Sequence, residues 1–120
     1  MYLPLTGDES WESGNWRNLM ERHELNAPIV CADGFKMSVQ ANETAYCTPR
    51  VTGAARYTAV EVGYPSQYEP LLMDWCDGGE PTNTVYGYVP AHVILTVCAK
   101  HGGAVSGELP PGVVLLRAEG

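Results

Sequence analysis

Residues 28–50, PIVCADGFKMSVQANETAYCTPR, constrain the fold more than any other stretch. Asp33-Gly34 stands between two short runs of apolar and β-prone side chains. Asp-Gly is a strong hairpin signal, because a type I′ turn needs positive φ at both central residues. With a two-residue loop, Ala32 pairs with Phe35, Cys31 with Lys36, Val30 with Met37 and Ile29 with Ser38. Cross-strand partners share a face. One face is then Val30, Ala32, Phe35, Met37 and Val39, and the other carries Lys36, Ser38 and Gln40 beside Ile29 and Cys31. This predicts a half-buried hairpin.

The remaining elements follow from periodicity. Trp16, Leu19, Met20 and His23 recur at helical spacing, with Ser13 or Asn15 as cap and Pro28 as stop, predicting a helix near 15–25. Residues 57–64 alternate, with Thr58, Val60, Val62 and Tyr64 opposite Tyr57, Ala59, Glu61 and Gly63, until Pro65 ends the strand. A short helical turn is expected from Ser66, limited by Pro70. Residues 84–89 read as a strand with Val85, Gly87 and Val89 opposite Tyr86 and Tyr88. Pro90 opens a helix over 90–101 that Gly102 terminates, against the β-branched character of Val93, Ile94, Thr96 and Val97. Residues 113–116 suit a short strand or docking arm. The architecture expected is α+β: an antiparallel sheet of about four strands with two helices packed on it. The 120 residues suit a single domain, with a loosely held arm over 1–13 and an extension over 104–120.

Fourteen acidic against seven basic residues give a net charge of −7, which repels phosphate backbones and argues against direct nucleic-acid binding. No long apolar run marks a membrane span and no signal pattern opens the chain, so a cytoplasmic location is expected. Cys31, Cys47, Cys76 and Cys98 are scattered, which suits reduced, buried thiols rather than a disulfide framework.

Phosphate-binding glycine loops, zinc ribbons and hydrolase motifs are missing from the sequence, so no cofactor or metal is expected. Cys98 and His101 with Cys47 or Cys76 make a poor zinc set, and Cys47 beside His92 or His101 would make a nucleophilic pair. Buried thiols and a histidine at a helix end account for the same residues. Ser38, Gln40, Tyr46, Thr48 and Arg50 offer a guanidinium fork, hydroxyls and an amide suited to a carboxylate or phosphate. Tyr64 and the other tyrosines add amphipathic contact area. The structural alternative has Arg50 satisfying loop carbonyls and pairing with Glu43 or Glu61.

The blocks CADGFKMSVQANETAYCTPR, AVEVGYPSQYEPLL and TVYGYVPAHVILTVCAKHGG, in that order and spacing, resemble a family of small bacteriophage and prophage proteins. The likeness covers roughly residues 16–103 and brings no catalytic residues with it. It implies an accessory protein of an infected or lysogenic bacterium. By analogy of type, the function expected is non-enzymatic binding and inhibition of a host defence protein, as in anti-CRISPR proteins that occupy basic nucleic-acid-binding surfaces. The alternatives are a protein that sequesters a nucleotide signal or other small anionic ligand, and a thiol-dependent enzyme.

Overall fold

The computed structural model describes residues 25–113. The elements are β1 (Ile29–Cys31), β2 (Lys36–Gln40), β3 (Ala59–Gly63), a 3-10 helix η1 (Pro70–Trp75), β4 (Val85–Pro90), α1 (Ala91–Lys100) and β5 (Ala104–Ser106). The strands form one antiparallel sheet in the order β4-β3-β2-β1-β5, so the fold is α+β. The fifth strand comes from Ala104–Ser106, residues expected to belong to an extension. The helix expected over 15–25 and the arm over 113–116 lie outside the described residues, apart from Leu25 and Val113.

The hairpin forms, but in a different register. Ile29 faces Met37 and Val30 faces Lys36, one residue away from the expected pairing. The loop is Ala32-Asp33-Gly34, closed by Cys31 N–H to the Phe35 carbonyl (2.8 Å) and Gly34 N–H to the Cys31 carbonyl (2.9 Å). Gly34 alone in this loop has positive φ, +95°, which excludes a type I′ turn and matches a three-residue turn ending in a glycine bulge. Asp33 selects this form: its side chain accepts the Phe35 N–H, and its own N–H donates to the His101 carbonyl. A slip of one residue exchanges the faces of a strand. Ile29 and Cys31, not Val30 and Ala32, therefore join Phe35, Met37 and Val39 in the core.

β3 buries Val60 and Val62 as its alternation predicts. β4 departs from simple alternation. Val60 faces Val89 and Val62 faces Tyr86, so β4 carries one extra residue, and Tyr88 takes φ +57°. This bulge turns both Tyr86 and Val89 inward, where strict alternation puts them on opposite faces. The Tyr86 hydroxyl donates to the Pro81 carbonyl at 2.6 Å, which satisfies it inside the core.

The helical turn expected from Ser66 begins instead at Pro70. Ser66 is held by β2, exchanging bonds with Lys36 through its amide and hydroxyl. Glu69 caps η1, and Pro70 occupies a position where its missing N–H costs nothing. α1 overrides its β-branched composition because Val93, Ile94, Val97 and Cys98 share the face that closes the core. Its end is a Schellman motif: Gly103 N–H donates to the Cys98 carbonyl (2.7 Å) and Gly102 N–H to the Ala99 carbonyl (3.1 Å). That turn delivers the chain into β5 beside β1.

Candidate binding surface

Two polar constellations stand out, one buried and one exposed. The buried one centres on His101, at the end of α1. Its Nδ1 meets Asp33 Oδ2 at 2.6 Å and its Nε2 meets Glu69 Oε1 at 2.6 Å. Lys100 Nζ reaches the other Glu69 oxygen at 2.9 Å, and the Leu71 N–H donates to that same oxygen. The Phe35 ring stacks on the imidazole with centroids 4.2 Å apart. His101 is 4% exposed and Glu69 1%.

Carboxylates at both nitrogens favour the doubly protonated imidazolium, which then donates twice. Burial alone pushes the His101 pKa down, but Glu69 and Asp33 together raise it above its ordinary value. Burial likewise pushes the Glu69 carboxyl up, and Lys100, the Leu71 amide and His101 bring it below the usual range. Asp33 is lowered by the Phe35 amide and by His101. An imidazolium saturated on both nitrogens and shielded by a ring has no site left for moving a proton to or from a substrate. The cluster is a structural junction. It ties the β1–β2 turn, η1 and α1 together.

Cys47 is not poised as a nucleophile beside a histidine base. Cys47 donates to the Asn42 and Pro49 carbonyls, and burial raises its pKa. The Cys47–His101 pair written from the sequence is not made, since both His101 nitrogens are engaged by carboxylates. Among the described residues, no group of three or more His, Cys, Asp or Glu side chains is placed to hold a metal ion.

The exposed constellation lies over the β3–β4 edge, where the loop after β2 folds back. Thr48 bridges to Ala59 of β3, and the Tyr46 carbonyl accepts the Tyr88 N–H at 3.0 Å, satisfying the amide that the β4 bulge leaves out of the ladder. Tyr46 then lies over Gly87. A Cβ there would come within 3.1 Å of the Tyr46 Cβ, so the absence of a side chain permits this approach. The Tyr46 and Tyr88 rings stack with centroids 5.8 Å apart and an interplanar angle of 28°. The Arg50 guanidinium covers Tyr46 at 5.2 Å from its centroid. Tyr46 and Tyr88 remain 43% and 48% exposed, with Val51 also exposed beside Arg50. Among the described residues no carboxylate lies within 4.0 Å of Arg50.

Of the residues chosen from sequence, Tyr46, Thr48 and Arg50 come together here. Ser38 and Gln40 lie on the same side of the sheet but bond to each other, and Gln40 is further engaged by Asn26. Gln40 faces Glu61 across β2–β3. Burial raises the Glu61 pKa, while the Tyr46 amide and the Arg50 charge draw it back in part. Tyr64 stands apart, exposed at a positive-φ corner beyond the far end of β3. Tyr88, one of the tyrosines expected to add contact area, is stacked and exposed here, whereas Gly87 and the pairing of Tyr88 with the Arg50 loop were missed. Tyr-Gly-Tyr-Val in a strand was the signal for Gly87, because a glycine inside a strand marks a bulge or a close approach.

Comparison with protein-family models, with curated proteins and with solved structures gives no match for this chain. Among the described residues no helix is long and apolar enough to cross a membrane.

Proposed function

We propose that this chain is a non-enzymatic binding protein that docks a protein partner on the shelf formed by Tyr46, Arg50 and Tyr88. The observation that carries this reading is the stacked, exposed tyrosine pair with a guanidinium laid on it. Tyrosine and arginine, with tryptophan, are enriched at the energetic centres of protein interfaces: tyrosine brings large contact area on two rotatable bonds, and arginine brings a planar fork of donors that also stacks on aromatic faces. Here the bulge and Gly87 fix the rings in advance, which lowers the ordering cost of association. A left-handed Tyr88 is itself costly, and an exposed ring does not offset that cost by core packing.

The resemblance to phage proteins and the charge of −7 support a partner class. It is a bacterial host protein, a defence protein in particular, with a basic nucleic-acid-binding surface. One observation favours a second reading: with no carboxylate within 4.0 Å among the described residues, Arg50 has donors to offer a small phosphate or carboxylate ligand.

Tyr88→Gly separates binding from folding. Glycine removes the ring and relieves the φ of +57°, so the melting midpoint should hold or rise while partner capture falls at least tenfold. The test is affinity capture from bacterial lysate with both versions, with proteins and small ligands identified by mass spectrometry. A protein retained equally by both versions contradicts the shelf as its docking site. A small anion lost with Arg50→Ala, and no protein, would favour the second reading.

A further inference from the structure

The junction between the β1–β2 turn and α1 holds two thiols that the shelf does not use. Cys31 ends β1 and Cys98 lies in the last turn of α1, and both are fully buried. Backbone bonds fix them against each other. The Gly103 N–H donates to the Cys98 carbonyl at 2.7 Å, and the Gly103 carbonyl accepts the Ala32 N–H at 2.9 Å. Ala104, the next residue, faces Cys31 across the β1–β5 ladder. Both positions are thus tied to the same short Gly103–Ala104 link, and both side chains are buried in the same core cluster, where each thiol is near enough to influence the other's titration. Cys47, by contrast, points its thiol at backbone carbonyls.

We infer that Cys31 and Cys98 form a latent dithiol site that closes to an intramolecular disulfide under a two-electron oxidant of the peroxide class. The deprotonated sulfur of Cys31 attacks a peroxide oxygen and breaks the O–O bond, giving a sulfenic acid and one water. The Cys98 sulfur then displaces the sulfenic oxygen as a second water, forming the S–S bond. Two thiols and one hydrogen peroxide become one disulfide and two waters, the sulfurs losing two electrons in all. Cys31 is the first to react, because burial holds the Cys98 thiol up at about 12. Burial raises Cys31 as well, so the reaction is slow at neutral pH and quickens as pH rises. The bond would staple β1 to α1 across the same junction that His101 spans.

The test is peptide mapping of the reduced full chain after hydrogen peroxide treatment, with free thiols alkylated under denaturing conditions. The expected result is a single Cys31–Cys98 crosslink with loss of two hydrogen atoms. Cys47 and Cys76 should stay alkylatable, the rate should climb with pH, and the melting midpoint should rise until dithiothreitol reverses it. Cys98→Ser should abolish the crosslink and Cys47→Ser should not. Where Cys98→Ser does not fold, the wild-type map decides alone. A crosslink joining another pair, Cys31 oxidised to a sulfinic acid with no crosslink, or no reaction up to pH 9 would overturn the inference.

Discussion

Arg50 and two glycines show what single positions do in this fold. Arg50 stacks on an exposed ring and, among the described residues, pairs with no carboxylate. Arg50→Lys keeps the charge and loses the planar fork. It should change unfolding free energy by less than about 1 kcal/mol, the scale of an exposed cation–π contact, while weakening binding. A loss above about 2 kcal/mol in a denaturant titration would make Arg50 a structural clamp instead. Gly34 and Gly107 both hold positive φ, +95° and +116°, yet they differ in surroundings. Nothing lies within 4 Å of a Cβ at Gly34, whereas one at Gly107 would meet the Pro28 carbonyl and come within 2.7 Å of the Ile29 Cα. Gly34→Val should therefore cost about 1–3 kcal/mol from backbone strain alone. Gly107→Ala, though smaller, should cost more, because strain and overlap with backbone add. Equal denaturant midpoints for the two variants would contradict this.

At the scale of elements, alternation made β3 and the inner face of β2 legible, and Pro90 with Gly102 bracketed α1. The hairpin register and the β4 bulge were not legible. Turn type at Asp33-Gly34 is decided by the distant His101, which receives the Asp33 amide at its carbonyl and the Asp33 carboxylate at its ring. The bulge depends on Tyr46 supplying a carbonyl from another loop. Local pattern carries no trace of such partners. The His101 junction has a pH signature of its own. A histidine raised above its unfolded value stabilises fully below that value, near 6.5, and the gain is lost as pH rises through the folded pKa. A glutamate lowered below its unfolded value stabilises above about 4.5, and the gain is lost as pH falls through the folded pKa. His101→Ala strands a buried Glu69 with Lys100 alone and should cost about 3 kcal/mol, the scale of a broken buried ion pair. Its unfolding free energy should differ most from the wild type between about pH 4.5 and 6.5, and less on either side. A difference that is the same from pH 4 to pH 9 would show that no charged junction exists.

At the scale of the whole molecule, the core lies on one side of a five-stranded sheet and the tyrosine shelf on the outer side, at the β3–β4 edge. The α+β class was legible because apolar periodicity records burial, which is a property of each element. The shelf was legible only in part: Tyr46, Thr48 and Arg50 share a loop, while Gly87 and Tyr88 reach it through the sheet. A net charge of −7 adds long-range attraction toward a basic partner, so association should slow as salt rises. The most direct test of the shelf as a docking site is an amide hydrogen-exchange footprint. The chain would be measured alone and saturated with a protein it captures from bacterial lysate. Protection is expected over residues 46–51 and 86–89, with β1 and β5 unchanged. Protection confined to β5 or η1, with residues 46–51 exchanging as in the free chain, would contradict it.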